Sequence, residues 1–148
     1  MRAVCCLLFF LLLGPLGRAQ APLGAVAPRL RVIVDNDFSG DPDGLFQLAH
    51  LLLSPSVEVR AIIGSHLKVG DGFDPSVTQA DNAVRKAAEV VQLLGMKGRV
   101  PVLAGANLGM ANDSTPARSA GVDFIIKEAL RTDTPLPLSC CAELASPK

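Results

Sequence analysis

The chain has 148 residues, enough for one domain, and its 49% of hydrophobic residues can supply a core. It contains no Trp, no Tyr and only six Phe, so aromatic platforms for stacking nucleic-acid bases are scarce. The 14 Lys and Arg residues balance the 14 Asp and Glu residues and form no basic tract. The electrostatic footprint of a nucleic-acid-binding protein is therefore absent.

Residues 1–21 are typical of a signal peptide. Arg2 supplies a positive charge, and residues 4–13 are an unbroken apolar run that is too short to span a bilayer as a helix. The small-x-small tripeptide that ends at Ala21 suits a signal peptidase. We expect cleavage after Ala21, which gives a secreted or periplasmic protein with no membrane contact; the alternative is an uncleaved anchor. Loss of the leader, which contains Arg2 and Arg18, leaves 12 basic residues against 14 acidic ones.

The cysteines predict no disulfide framework. Cys5 and Cys6 lie in the leader, and Cys140 and Cys141 are adjacent near the end of the chain. Neighbouring cysteines rarely bridge each other because the geometry strains the peptide between them. The spacing does not match a zinc site either.

The remaining elements alternate between strand and helix after a Pro/Ala/Gly linker at residues 22–29. Short β-branched runs predict strands, and apolar residues at helical spacing predict helices. The strands are expected at residues 30–34, 57–64 and 100–103, and the helices at residues 45–52, 77–94 and 122–130. This order predicts an α/β fold, an open and mostly parallel Rossmann-like sheet with helices on both faces. The loops 35–43, 65–75 and 104–118 all follow strands, so they are expected at the ligand-binding edge.

Local signals fix several helix ends. Ser76 and Gln79 fit a capping box at the start of the second helix, and Gly95 fits the residue after its last turn. Asp41 followed by Pro42 is a good start for the first helix.

The end of the chain is unusual. Residues 134–138 could begin a fourth strand, but residues 139–148 supply no helix to cover it. A bare parallel strand is poorly stabilised, so we expect residues 30–138 to be a partial domain, with residues 139–148 an atypical tail of a truncated or frame-altered chain. The alternative is a small natural domain with a ragged tail.

Chemistry is concentrated in an acid loop at residues 35–43. Asp35, Asp37, Asp41 and Asp43 fall within nine residues, directly after a buried strand. Their repulsion disfavours the arrangement unless a cation offsets it, and hard oxygen ligands suit Ca²⁺ or Mg²⁺. Helix capping is the alternative explanation, but it requires only one of the four acids.

These residues resemble a known family. An apolar strand, Asp-x-Asp, a Gly-containing turn, two further acids and an apolar helix look like the N-terminal signature of the inosine/uridine-preferring nucleoside hydrolases. Weaker similarities follow in the family's order and extend the resemblance over about residues 30–135, at segments 54–62, 82–83, 100–106 and 121–125. The resemblance implies a nucleoside hydrolase core that is incomplete in this chain.

The resemblance also implies roles for the acids. Asp37 matches the acid that ligates calcium and acts as general base for the attacking water. Asp41 matches the acid that contacts a ribose hydroxyl. The family has a second acid next, a bidentate calcium ligand, where this chain has Pro42. Asp43, or Asp41, is then expected to complete the metal ligands, with Asp35 as a supporting acid.

The two histidines have different expectations. The family usually has an Asn in the loop after the second strand, where this chain has His66, so His66 is a candidate substrate contact. His50 lies among leucines on a predicted helix and is expected to be a core or boundary residue.

The implied activity is calcium-dependent hydrolysis of the N-glycosidic bond of a ribonucleoside, a small-molecule substrate. Later family segments supply further calcium ligands and the leaving-group chemistry, so this chain is expected to have little or no activity. A homo-oligomer stays open. One alternative is a phosphatase of the haloacid dehalogenase type, which also places Asp-x-Asp after an apolar strand. Another is a non-catalytic, calcium-binding exported protein.

Overall fold

The computed structural model describes residues 26–68 and 70–142. The strands are β1 Leu30–Asn36, β2 Val57–Gly64, β3 Val102–Ala104 and β4 Leu138–Ala142. The helices are α1 Asp43–Leu53, α2 Gln79–Leu93 and α3 Ala120–Ala129. The predicted signal peptide and the last six residues of the predicted tail lie outside the described residues. Within those ranges, no helix has the length and apolarity needed to cross a membrane.

All four strands are parallel and form one open sheet in the order β3-β2-β1-β4. This confirms the predicted α/β class. The chain moves outward from β1 to β3, and then β4 returns to the free side of β1. The direction of the strand order therefore reverses between β1 and β4, which is where open α/β sheets bind ligands.

Helices cover both faces of the sheet. Val32, Val34 and Ile62 belong to the buried cluster that contains Leu48 of α1 and several apolar residues of α2. Ile33 and Ile63 point to the opposite face, where α3 packs so closely that a Cβ atom on Gly121 would lie 2.8 Å from Ile63 Cγ2.

Three strands differ in extent from the prediction, and the shortest, β3, spans Val102–Ala104 rather than residues 100–103. β1 continues through Asp35 and Asn36, because these polar residues still pair with Ile63 and Gly64 of β2. β4 begins at Leu138 rather than at residue 134, and it takes in residues 139–142 of the segment expected to be a tail. These residues pair with β1 up to Asp35, and no local sequence pattern predicts this pairing.

The predicted capping box at the start of α2 is wrong. The helix begins at Gln79, and Thr78 makes no side-chain cap. Ser76 Oγ instead accepts a hydrogen bond from Thr78 N, within a turn that precedes the helix. The side chain of Gln79 is used elsewhere, since its Oε1 accepts from Leu67 N at 3.0 Å. Gly95 follows the helix with φ +69, as expected for a residue that ends a helix.

The cap of α2 comes from a distant loop. Asn107 Oδ1 accepts hydrogen bonds from Ala80 N at 2.9 Å and from Asp81 N at 3.2 Å, and Asn107 Nδ2 donates to Asp81 Oδ2 at 2.8 Å. These two amides are the ones that an N-cap side chain satisfies. A residue of the β3–α3 connection therefore does what the local sequence was expected to do.

A buried ion cluster ties α3 to the sheet. Glu128 Oε1 accepts hydrogen bonds from Arg31 Nη1 at 2.6 Å, Arg60 Nε at 3.0 Å and Arg131 Nη1 at 3.2 Å. Burial alone would raise the pKa of Glu128, but hydrogen bonds from Arg31 and Arg60 outweigh it and lower the pKa. Arg31 Nε also donates to Leu136 O at 3.0 Å, so the same guanidinium holds the approach to β4.

Replacement of Glu128 by Ala should destabilise the fold by about 3 kcal/mol, because it leaves the buried Arg31 guanidinium without a counter-ion. Chemical denaturation followed by circular dichroism measures the change. Glu89→Ala, at an exposed position of α2, is the control and should stay within about 0.5 kcal/mol of the original chain. Equal unfolding midpoints for the two variants would contradict the prediction.

Gly64 is required where β2 passes beneath α2. A Cβ atom there would lie 2.7 Å from Val84 N and 2.9 Å from Ala80 O, both backbone atoms that cannot rotate away. We expect Gly64→Ala to lower the free energy of unfolding by about 1–3 kcal/mol through overpacking. Gly72→Ala is the matched control, since a Cβ atom at Gly72 meets nothing within 4 Å. The explanation fails if both substitutions have the same effect.

Candidate functional site

The acid loop leaves the sheet at the point where the strand order reverses. Parallel strands all end at one edge, so the loops after β1, β2 and β3 and the end of β4 at Ala142 share that edge. Asp35 is paired with Ala142 across the β1–β4 boundary. The acids that follow it therefore stand at the mouth of the switch point, the preferred ligand site of open α/β sheets.

Phe38 anchors the acid loop. Its side chain is fully buried in the core cluster beneath α1 and α2. Gly40 N donates to Asp37 O at 2.7 Å and closes a tight turn around this anchor. The turn packs against the next loop, since a Cβ atom on Gly40 would lie 2.6 Å from Leu67 Cδ2. Burial of Phe38 thus fixes the backbone that presents Asp37.

Asp35, expected to be a supporting acid, is held at the strand end. Ser65 Oγ donates a hydrogen bond to Asp35 Oδ1, and Ser65 N donates to Asn36 O at 3.0 Å. Both bonds join the start of the acid loop to the loop after β2. Asp35 therefore has a structural partner of its own.

The environment of Asp37 shifts the pKa of its carboxyl. Burial raises the pKa of its carboxyl above the ordinary value, against the lowering effect of a backbone hydrogen bond. The negative charges of Asp71, Asp43 and Asp35 raise it further. A half-buried carboxylate surrounded by other acids is suited to accept a proton or to bind a cation.

Asp43 and Asp41 lie at the start of α1. Asp43 lines a cavity of about 380 Å³ together with Asn36, Gly44 and Gln47, and its Oδ1 accepts from Gly44 N at 2.7 Å. Asp41 is exposed, and its Oδ1 accepts from Asp43 N at 3.3 Å. The helix begins at Asp43 with Pro42 at its N-cap and no side-chain cap, so the predicted N-cap role of Asp41 is wrong.

His66 lines a neighbouring cavity of about 360 Å³ between the loops after β2 and β3. Its Nδ1 lies 3.1 Å from Ala106 O. Asp71 lines the same cavity and also raises the pKa of Asp37, so Asp71 connects the cavity to the acid loop. Asp71 was not singled out by sequence reasoning; its position in a loop that follows a strand was the available signal. His50, expected at a core or boundary position, is exposed on α1.

A second acid that the sequence did not reveal, Asp74, fastens the loops to α2. Its carboxylate accepts from Asn82 Nδ2 at 2.8 Å and from Ser76 N at 3.0 Å, and these bonds lower the pKa of Asp74 to about 2. Ser39 of the acid loop is buried beside it and contributes to that lowering, although Ser39 Oγ makes no hydrogen bond of normal geometry. Gln79 Nε2 donates to Asp74 O at 2.6 Å.

The chemistry of the donors suits calcium better than their number does. The charged side chains that raise the pKa of Asp37 are carboxylates, the hard oxygen ligands that calcium prefers. Calcium takes about six to eight oxygen ligands. Within residues 26–68 and 70–142, no three His, Cys, Asp or Glu side chains converge closely enough to hold a metal ion. The described acids therefore do not form a complete calcium site by themselves.

Asp74 should make stability depend on pH in acid. Its pKa in the folded protein, about 2, lies below the ordinary value of about 3.9, so the ionised form stabilises the fold above pH about 4. That contribution is lost as the pH falls towards about 2. We expect Asp74→Asn to lower the thermal midpoint at neutral pH, with the difference from the original chain closing between pH about 4 and 2. Asp113→Asn, at an exposed position, should show no such closure. A difference that stays constant with pH would contradict the assignment.

Comparison with known proteins does not place the chain in a family. No protein-family model matches it, and neither a curated protein nor a solved structure does.

Proposed function

We propose that this chain carries the metal- and ribose-binding loop of a calcium-dependent nucleoside hydrolase. The reaction is hydrolysis of the N-glycosidic bond of a ribonucleoside to a free base and ribose. The observation that carries the proposal is the position of Asp37. It follows a buried strand at the switch point of the sheet, and burial together with the other acids of this edge raises its pKa. A cavity of about 360 Å³ adjoins the same edge and offers room for a small molecule.

In this mechanism Asp37 is the general base. Asp37 takes a proton from the water that attacks the anomeric carbon. The bond from that carbon to the nucleobase breaks, and the nucleobase leaves with the electron pair. A raised pKa brings the carboxylate closer to the working pH of a base. Asp41, exposed at the start of α1, accepts a hydrogen bond from a ribose hydroxyl. His66 contacts the substrate from the adjoining cavity.

Calcium held by oxygen atoms of Asp37 and Asp43, with Asp41 beside them, would supply the positive charge that orients the ribose hydroxyls and lowers the pKa of water. The charge would also relieve the repulsion between the acids that raises the pKa of Asp37. The excess of acids around Asp37 is then part of the function rather than a burden on the fold.

The phosphatase alternative uses the acids differently. In it, the first Asp of Asp-x-Asp would attack phosphorus. That residue is Asp35, whose Oδ1 is already engaged by the Ser65 hydroxyl. Asp37, whose pKa is raised by burial and by neighbouring acids, is the better candidate for the reacting carboxylate. This favours the hydrolase proposal.

Calcium binding tests the proposal on this chain. We expect heat in a calorimetric titration with CaCl₂, and affinity reduced at least about tenfold by Asp37→Asn or Asp43→Asn, because each removes a charged ligand. Asp113→Asn removes an equal charge away from the site and should leave the affinity unchanged. Uridine or inosine should then bind only in the presence of calcium, and any base release should disappear in Asp37→Asn.

Two results would overturn the proposal. One is the absence of calcium heat from the folded chain. The other is release of phosphate from p-nitrophenyl phosphate that depends on Asp35, with no nucleoside binding. Calcium binding without any effect of calcium on nucleoside binding would favour the exported calcium-binding protein instead.

A further inference from the structure

The loop after β3 is attached to the rest of the molecule near its start. Gly105 N donates to Gly64 O at 2.9 Å, and the next residue, Ala106, offers its carbonyl to the ring of His66. Asn107 then makes three hydrogen bonds to the first turn of α2. From Leu108 the chain is exposed through residue 116. Asn107 is therefore the last fastened residue before a long exposed run.

The contact between His66 and Ala106 has one possible polarity. A carbonyl oxygen only accepts hydrogen bonds, so Nδ1 of His66 must carry the proton. In the neutral ring, Nε2 is then left with a free lone pair. Nε2 faces Gly109, where a Cβ atom would lie 3.6 Å from it, and both residues line the cavity of about 360 Å³. Among the residues with described side chains, none hydrogen-bonds to this nitrogen.

We propose that Asn107 is a positioning residue that holds the Ala106 carbonyl in place and so keeps His66 as a hydrogen-bond acceptor facing the cavity. The cavity then takes ligands that present a neutral N–H or O–H group to Nε2. The proposal rests on the proposed function only in taking that ligand to be the substrate. The state of the His66 ring can be measured without any ligand.

The side chain that caps α2 comes from the loop after β3. Asn107 Oδ1 accepts hydrogen bonds from the amides of Ala80 and Asp81, which lack partners within the helix. These bonds hold Asn107 at this end of α2. Ala106 precedes it directly and cannot move far while that bond stands. Without the bond, Ala106 is held only through Gly105 on its N-terminal side, and we expect its carbonyl to turn away from His66. A free histidine ring favours the other tautomer, with the proton on Nε2.

The test is the tautomer of His66 in the ¹⁵N-labelled chain. Long-range ¹H–¹⁵N spectra at pH about 8, where neutral imidazole predominates, distinguish the protonated ring nitrogen from the bare one. The chain has two histidines, and His50→Gln assigns the signals. We expect the proton on Nδ1 in the original chain and its transfer towards Nε2 in Asn107→Ala. Asn112→Ala is the matched control, because Asn112 bonds only within its own turn, to Ser114 N.

Exchange of the side chains of residues 107 and 81 tests whether the lost tautomer can be restored. Asn107→Asp alone puts two carboxylates together and should disturb the tautomer. The pair Asn107→Asp with Asp81→Asn restores a donor facing an acceptor and should return the proton to Nδ1. A merely structural role for Asn107 would not tie the ring tautomer to the polarity of this pair.

Two results would overturn the inference. One is a proton on Nε2 in the original chain, which needs no variant to observe. The other is a folded Asn107→Ala whose tautomer is unchanged. Should Asn107→Ala fail to fold, the exchanged pair decides, and failure to restore the Nδ1 proton in a folded exchanged pair counts against the inference. Failure of the hydrolase proposal would instead appear as absent calcium and nucleoside binding with the tautomer as expected.

Discussion

Burial of Phe38 is the interaction on which the rest of the site depends. The side chain sits in the core cluster beneath α1 and α2, between Asp37 and Ser39 in the chain. Full burial of such a side chain contributes about 1.5–3 kcal/mol, which is enough to hold a loop whose acids repel one another. Burial raises the pKa of Asp37, and repulsion from Asp71, Asp43 and Asp35 raises it further. Apolar packing of Phe38 thus holds the loop in place against the repulsion between its carboxylates. A bound cation would offset that repulsion.

The first turns of α2 hold the loops at the edge where the parallel strands end. Asp74 joins the loop after β2 to Asn82, and Ser39 of the acid loop lies beside it. Asn107 brings the loop after β3 onto the same helix end. Lys86, one turn further along, reaches Ser39 O at 3.4 Å. All three loops therefore bond to one helix.

The two charge clusters of the fold are built in opposite ways. On the α3 side, Arg31, Arg60 and Arg131 meet Glu128, so the buried acid is neutralised by the chain itself and its pKa is lowered. At Asp37 burial raises the pKa of the carboxyl, and the charges of Asp71, Asp43 and Asp35 raise it further. The first arrangement holds elements together. The second keeps like charges close together, which is costly for the fold alone.

The sequence by itself determined the alternation of strands and helices, the parallel sheet and the position of the acid loop after a buried strand. These follow from local signals, since apolar periodicity and Asp-x-Asp are read within a few residues. Only the tertiary structure decided that β4 pairs with β1, that Asn107 caps α2 in place of Ser76, and that Asp71 stands near Asp37. Each of these depends on residues that are far apart in the chain; the Asn107 cap spans 27 positions. Hydrogen-bond partners at such separations are chosen by the packing of whole elements, which no local pattern of residue types records.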